Sequence, residues 1–93
     1  MTDFETALLG KIIERLNLAE VIKRENIHVD VNTPLFKGGL GLDSIDALEI
    51  SILLEEEYGI VVKVSERNAS IFGSLGDLSR FVQENLRRDI APA

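Results

Sequence analysis

Phe4, Leu8, Leu9, Ile12, Ile13 and Leu16 recur at helical spacing behind Thr2-Asp3-Phe4-Glu5, whose T-x-x-E order is that of a capping box. The spacing predicts a first helix over about 3–16. Asn17 is a plausible stop, although neither Gly nor Pro prevents a further turn through Leu18 to Arg24. The pattern then becomes irregular from Glu25 to Leu42. Ile27 and Val29 alternate with polar residues, Asn32-Thr33-Pro34 marks a turn, and Gly38, Gly39 and Gly41 follow. A long loop is expected there, flexible in its glycine-rich part and pinned by Ile27, Val29, Leu35 and Phe36.

Asp43 or Ser44 then caps a second helix, which runs to Tyr58 and stops at Gly59, with Ile60 as the hydrophobic contact beyond it. Ile60-Val61-Val62-Lys63-Val64 has strand-like residues but no second strand to pair with, so it reads as an extended buried loop. A short third helix is expected over about 66–71. A last helix over about 75–88 starts with Ser74-Leu75-Gly76-Asp77, places Leu75, Leu78, Phe81, Val82 and Leu86 on one side, and ends on Arg87 and Arg88, before a frayed Ala91-Pro92-Ala93 tail. The fold class is all-α: a small bundle of three main helices plus one short helix, forming a single domain over 1–93.

Composition narrows the function classes. With 45% apolar and 28% charged residues, 93 residues suffice for one small folded core. No apolar run reaches the roughly 20 residues of a membrane-spanning helix, and the acidic N-terminus does not resemble an export signal, so a cytoplasmic protein is expected. Without Cys and with His28 as the single histidine, disulfides, thiolate metal sites and multi-histidine sites are excluded. A net charge of −6 disfavours nucleic acid and anionic lipid as partners and favours a basic protein surface.

The helix over 43–58 has two apolar stripes. At 100° per residue from Ser44, Ala47, Ile50, Leu54 and Tyr58 form one, and Ile45, Leu48 and Ile52 form another roughly opposite. A helix buried on both sides would also show two stripes, but the second is edged by Glu49 and Glu56 on one flank and Glu55 on the other. Six acidic residues and no basic one lie between Asp43 and Val62. The run Glu55-Glu56-Glu57 occupies the last turns, where the helix dipole disfavours negative charge by roughly 0.3–1 kcal/mol per group, and no nearby cation in the sequence offsets it. A solvated face explains charge alone; charge in an unfavourable place beside apolar side chains favours a docking strip.

Ser44 sits where that strip meets the helix start. Its hydroxyl would be exposed beside the positive end of the dipole, a favourable place for an attached phosphodiester. Nucleophilic catalysis would need a base, and His28 has no orienting partner in the pattern. Gly39-Leu40-Gly41-Leu42-Asp43-Ser44 lacks the Lys-Ser/Thr of a phosphate loop and the last Gly of a dinucleotide fingerprint, and the carboxylates lack calcium-loop spacing. No catalytic residue and no metal site is assigned, and the protein is not expected to be an enzyme.

Leu40-Gly41-Leu42-Asp43-Ser44-Ile45-Asp46-Ala47-Leu48-Glu49, followed by Leu54-Glu55-Glu56-Glu57-Tyr58-Gly59-Ile60, resembles the acyl carrier proteins, and the order of helices and long loop extends the likeness over nearly the whole chain. The resemblance implies that Ser44 carries phosphopantetheine, transferred from coenzyme A by a phosphopantetheinyl transferase, whose thiol holds acyl chains as thioesters for fatty-acid or specialised lipid or polyketide synthesis. It implies that partner enzymes with basic docking surfaces meet Asp43, Ile45, Asp46, Leu48, Glu49, Ile52, Glu55 and Glu56 of a monomer. It also implies an acyl pocket on the core side, near Ile50, Leu54, Ile60 and Ile71. Lys37-Gly38-Gly39, where the fatty-acid type commonly has an acidic residue, and Arg67-Asn68, which makes the short third helix less acidic than usual, are departures from the fatty-acid type that leave a specialised pathway open. The competing reading is an acidic helical adaptor that uses the same strip without a prosthetic group.

Overall fold

The computed structural model describes residues 1–36 and 38–90, with side chains up to residue 86. Lys37, the Arg87 and Arg88 side chains expected as C-terminal cations, and the tail 91–93 lie outside the described residues. Five α-helices follow one another: α1 (Asp3–Leu16), α2 (Ala19–Arg24), α3 (Ser44–Tyr58), α4 (Ala69–Phe72) and α5 (Leu75–Ile90), with a 3-10 turn at Val64–Glu66. Among the described residues there is no strand, only an isolated bridge between Pro34 and Ser74. The fold is the expected all-α bundle of three long helices, with more short pieces between them than the pattern predicts.

Both ends of α1 follow from local chemistry. Thr2 Oγ1 accepts from the Glu5 N–H at 3.1 Å while the Thr2 N–H donates to Glu5 Oε1 at 2.8 Å, satisfying two groups that a helix start leaves orphaned. Asn17 ends the helix in the left-handed region, at φ 55°. The chain beyond it forms α2 as a separate turn, capped by Leu18 without a side-chain hydrogen bond. The expected short helix over 66–71 is divided: the 3-10 turn comes first, and α4 starts later because Asn68 caps it, its side chain accepting from the Ser70 N–H at 2.9 Å. Ser74 Oγ likewise accepts from the Asp77 N–H at 3.2 Å at the start of α5.

α1 packs against α3 and α5, α4 packs against α5, and α3 touches α5, so α3 has neighbours on part of its circumference only. The core is formed by Leu8 and Ile12 of α1, Ile50, Leu53 and Leu54 of α3, Phe72 of α4, and Leu75, Leu78 and Val82 of α5, each at most 1% exposed. Ile60 and Val62 point inward from the extended stretch after Gly59 while Val61 and Val64 point out. The expected extended buried loop is therefore buried only at Ile60 and Val62, and it ends at Val64, where the 3-10 turn begins.

Candidate functional site

The approach to α3 is laced, where its glycines predict slack. Leu40 N–H donates to Pro34 O at 3.0 Å, Gly41 N–H to Phe36 O at 2.8 Å and Leu42 N–H to Leu35 O at 3.1 Å, while Leu35 N–H reaches across to Gly73 O at 3.1 Å. Leu35, Leu40 and Leu42 are all buried in the core. The glycines permit this crossing. A Cβ at residue 39 would lie 1.9 Å from Pro34 O, and Gly41 turns at φ +69° immediately before the helix. Leu40 and Leu42 are pins that the sequence pattern did not single out; each precedes or follows a glycine, so no periodicity marks it as buried.

This turn ends at Asp43, the N-cap of α3. Asp43 Oδ1 accepts from the Asp46 N–H at 2.9 Å and Asp46 Oδ2 accepts from the Asp43 N–H at 3.0 Å, a capping box built from two aspartates. Ser44 is the first helical residue and is exposed. Its hydroxyl has no hydrogen-bond partner among the described residues, and its own N–H and that of Ile45 are among the helix-start donors that the capping box leaves free.

From Ser44 the exposed strip runs down the helix through Ile45, Leu48 and Ile52, which are 70%, 42% and 37% exposed. Glu55 is exposed on one flank and Glu49 is half-buried on the other. Of the opposite stripe, Ala47, Ile50 and Leu54 are buried and Tyr58 is half-buried; Ser51 and Leu53, which the two-stripe pattern did not include, are buried too. Ser51 meets the cost of burial by donating its hydroxyl to Ala47 O at 2.9 Å.

The acidic rim is divided, a correction to the expectation that nothing offsets its charge. Lys11 of α1 donates to Glu57 at 3.0 Å, and Arg15 of α1 donates to Glu56. The hydrogen bond to Glu57 raises the Lys11 ammonium above its ordinary range, and the hydrogen bond to Glu56 does the same for the Arg15 guanidinium. These pairs join residues 46 and 41 positions apart, so no reading of α3 alone finds them. Asp43 and Asp46 are engaged in the cap. Glu49 and Glu55 are then the acidic side chains of α3 that have no bonded partner among the described residues.

A cavity of about 430 Å³ opens between the loop, α3 and α4, bordered by Pro34, Phe36, Ala47, Arg67, Asn68 and Phe72 among others. Ala47 lies one turn below Ser44, which places the cavity next to the candidate attachment point. None of the residues expected to line an acyl pocket, Ile50, Leu54, Ile60 and Ile71, borders it. The first three are fully packed in the core, being at most 4% exposed.

The family model for the phosphopantetheine attachment site matches residues 15–82 of this chain. The chain is also 36% identical over 53 residues to a Schizosaccharomyces pombe protein titled "Putative acyl carrier protein, mitochondrial". That match covers 57% of this chain and 46% of the relative, so the chain spans about half the length of the curated relative. No solved structure matches.

Proposed function

The chain belongs to the phosphopantetheine attachment-site family, and from that premise we propose that it is an acyl carrier loaded at Ser44 and read by its partners along the exposed strip of α3. The observation that carries this reading is the exposed Ser44 hydroxyl at the first position of a fifteen-residue helix. The residues present fit the prosthetic group. The free N–H groups of Ser44 and Ile45 and the positive end of the helix dipole would stabilise a phosphodiester at that oxygen. Asp43 and Asp46 add negative charge nearby, but each carboxylate already accepts a backbone N–H. The bound group supplies a terminal thiol, absent from a chain without cysteine, that holds acyl groups as thioesters.

Partner enzymes, beginning with a phosphopantetheinyl transferase, would cover Ile45, Leu48 and Ile52 and offer cations to Glu49 and Glu55. Asp43 and Asp46 serve first as caps, and Glu56 exchanges Arg15 for a partner's cation only if the α1 contact gives way. Docking on an exposed, screened acidic face is weak and salt-sensitive, since charges separated by more than about 8–10 Å are largely screened at ordinary ionic strength. In this reading the protein is a monomeric carrier and not a catalyst, its encounters take place in the cytoplasm, and its cargo belongs to fatty-acid or specialised lipid or polyketide synthesis. The departures at Lys37-Gly38-Gly39 and Arg67-Asn68 leave the specialised branch open beside the fatty-acid one.

Incubation with coenzyme A and a broad-specificity transferase, followed by mass spectrometry, tests the attachment. The wild-type chain is expected to gain one phosphopantetheine and Ser44→Ala none; equal gain in both, or none in either, overturns the assignment. The mass of the acyl group on protein recovered from cells decides between the pathways.

A further inference from the structure

The cavity beside Ser44 has apolar walls, Pro34, Phe36, Ala47 and Phe72, and Arg67 is the charged residue among the described ones that line it. Arg67 is exposed, and its backbone N–H donates to Val64 O at 3.1 Å. Its guanidinium joins none of the four ion pairs formed among the described residues. Asn68, the neighbouring polar side chain, is already engaged, donating to Ser65 O at 2.8 Å and accepting from the Ser70 N–H at 2.9 Å. A cavity that is apolar in its walls and cationic at one edge suits a molecule that is apolar along its length and anionic at one end. An arginine fork matches the two oxygens of a carboxylate in particular.

Two anions are available to a loaded carrier: the phosphodiester at Ser44 and any carboxylate on the cargo. Ser44 does not line the cavity, so a phosphodiester bonded to its Oγ stays outside, and the group that enters is carried at the far end of the arm. Resting on the loading of Ser44 proposed above, we propose that Arg67 selects acyl cargo bearing a free carboxylate, with the methylenes against Phe36, Ala47 and Phe72 and the carboxylate on the guanidinium. In a chain of net charge −6, an acidic cargo is otherwise repelled by the protein that carries it. The preference is modest, because Arg67 is exposed: a carboxylate raises the fraction of cargo lodged in the cavity roughly two- to fivefold, the scale of an exposed ion pair.

The full chain, isotope-labelled and loaded with either a succinyl or a butyryl group, tests this by NMR. The two groups have equal numbers of carbons and differ in the terminal carboxylate. Succinyl is expected to shift the Arg67 Nε–H and the amides of Ala47, Ala69 and Phe72 more than butyryl does. In Arg67→Gln the two cargoes become equivalent, and in Arg67→Lys part of the difference remains. Equal shifts for both cargoes in the wild type, or an unchanged succinyl response in Arg67→Gln, overturns the proposal. An Arg67 Nε–H that moves as far with the unacylated arm as with succinyl assigns the guanidinium to the phosphodiester and overturns it too. Failure of the loading itself is recognised beforehand, as a missing mass gain. Superposable amide spectra away from the cavity show that each variant is folded.

Discussion

The two faces of α3 are built from the same kind of side chain and do different things. Ile50, Leu53 and Leu54 are at most 1% exposed, whereas Ile45, Leu48 and Ile52 on the other face are between 37% and 70% exposed. Leu8 and Ile12 of α1 and Leu75, Leu78 and Val82 of α5 share the core with the first face, whereas the second keeps much of its surface open. A helix that is apolar all round is ordinarily a buried one. Here the first stripe lies in the core and the second stays between 37% and 70% exposed, the surface proposed above for docking.

That division predicts the largest contrast between two single substitutions. Leu54→Ala removes a side chain with no exposed surface and leaves a cavity, and it is expected to cost about 2–5 kcal/mol in urea unfolding. Ile52→Ala removes a partly exposed side chain and is expected to change stability by no more than roughly 0.5 kcal/mol. In a titration with the transferase the order reverses: Ile52→Ala weakens binding by about 1 kcal/mol or more, as truncation of an apolar anchor does. Equal destabilisation by the two variants would break the comparison and make the exposed strip part of the fold.

A second contrast concerns the loop that presents Ser44. Gly39→Ala drives a Cβ into Pro34 O and is expected to destabilise by about 1–3 kcal/mol, because the crossing that buries Leu40 and Leu42 must open. Gly10→Ala, in α1 with nothing within 4 Å of the new Cβ, is expected to stabilise by about 0.5–1 kcal/mol. Thermal unfolding of both variants measures the pair. If Gly39→Ala is as benign as Gly10→Ala, the loop is slack and the lacing does not hold Ser44.

The sequence shows the helices where chemistry is local and hides what depends on distant partners. Thr2 with Glu5, Asp43 before Ser44, Ser74 before Leu75 and Gly59 after Tyr58 each mark an end, because the groups they satisfy lie within a few residues. The exposed strip is legible too, since helical geometry alone separates Ile45, Leu48 and Ile52 from Ile50 and Leu54. The burial of Leu40 and Leu42 is not, because a loop has no period; nor is the division of 64–72 into a 3-10 turn and α4, decided by the Asn68 cap. The cations Lys11 and Arg15 are invisible from α3 because they arrive from α1, and they change the meaning of half the rim.

The rim therefore supplies a third contrast. Glu56→Gln removes the charge from the hydrogen-bonded pair with Arg15 and is expected to lower stability slightly, with a minor effect on docking. Glu49→Gln has no such bonded partner to lose. It is expected to leave unfolding unchanged while slowing association with a basic partner, most visibly at low salt. Stopped-flow association at two ionic strengths separates them, and a salt-dependent loss in Glu56→Gln as large as that in Glu49→Gln would place Glu56 back on the docking face.

The smallest expected effect lies at high pH, where Lys11 and Tyr58, beside the α1 end of the rim, lose their protons. Glu57 raises Lys11 above its ordinary 10.5 through their hydrogen bond, and burial raises Tyr58 above its ordinary 10.0. In both cases the folded chain holds its proton more tightly than the unfolded one. Each contribution to stability is therefore complete below the ordinary value and is lost as pH rises through the raised one. Arg15 keeps its charge across this range, so its pair with Glu56 persists. The melting temperature is expected to fall from about pH 10 upward, less steeply in Lys11→Met and less steeply again when Tyr58→Phe is added. Tyr58→Phe keeps the ring that packs 5.8 Å from Phe4, so its effect isolates the hydroxyl. If Lys11→Met follows the wild-type curve throughout, the Lys11–Glu57 pair contributes nothing, and the two sides of the rim differ in their neighbours but not in energy.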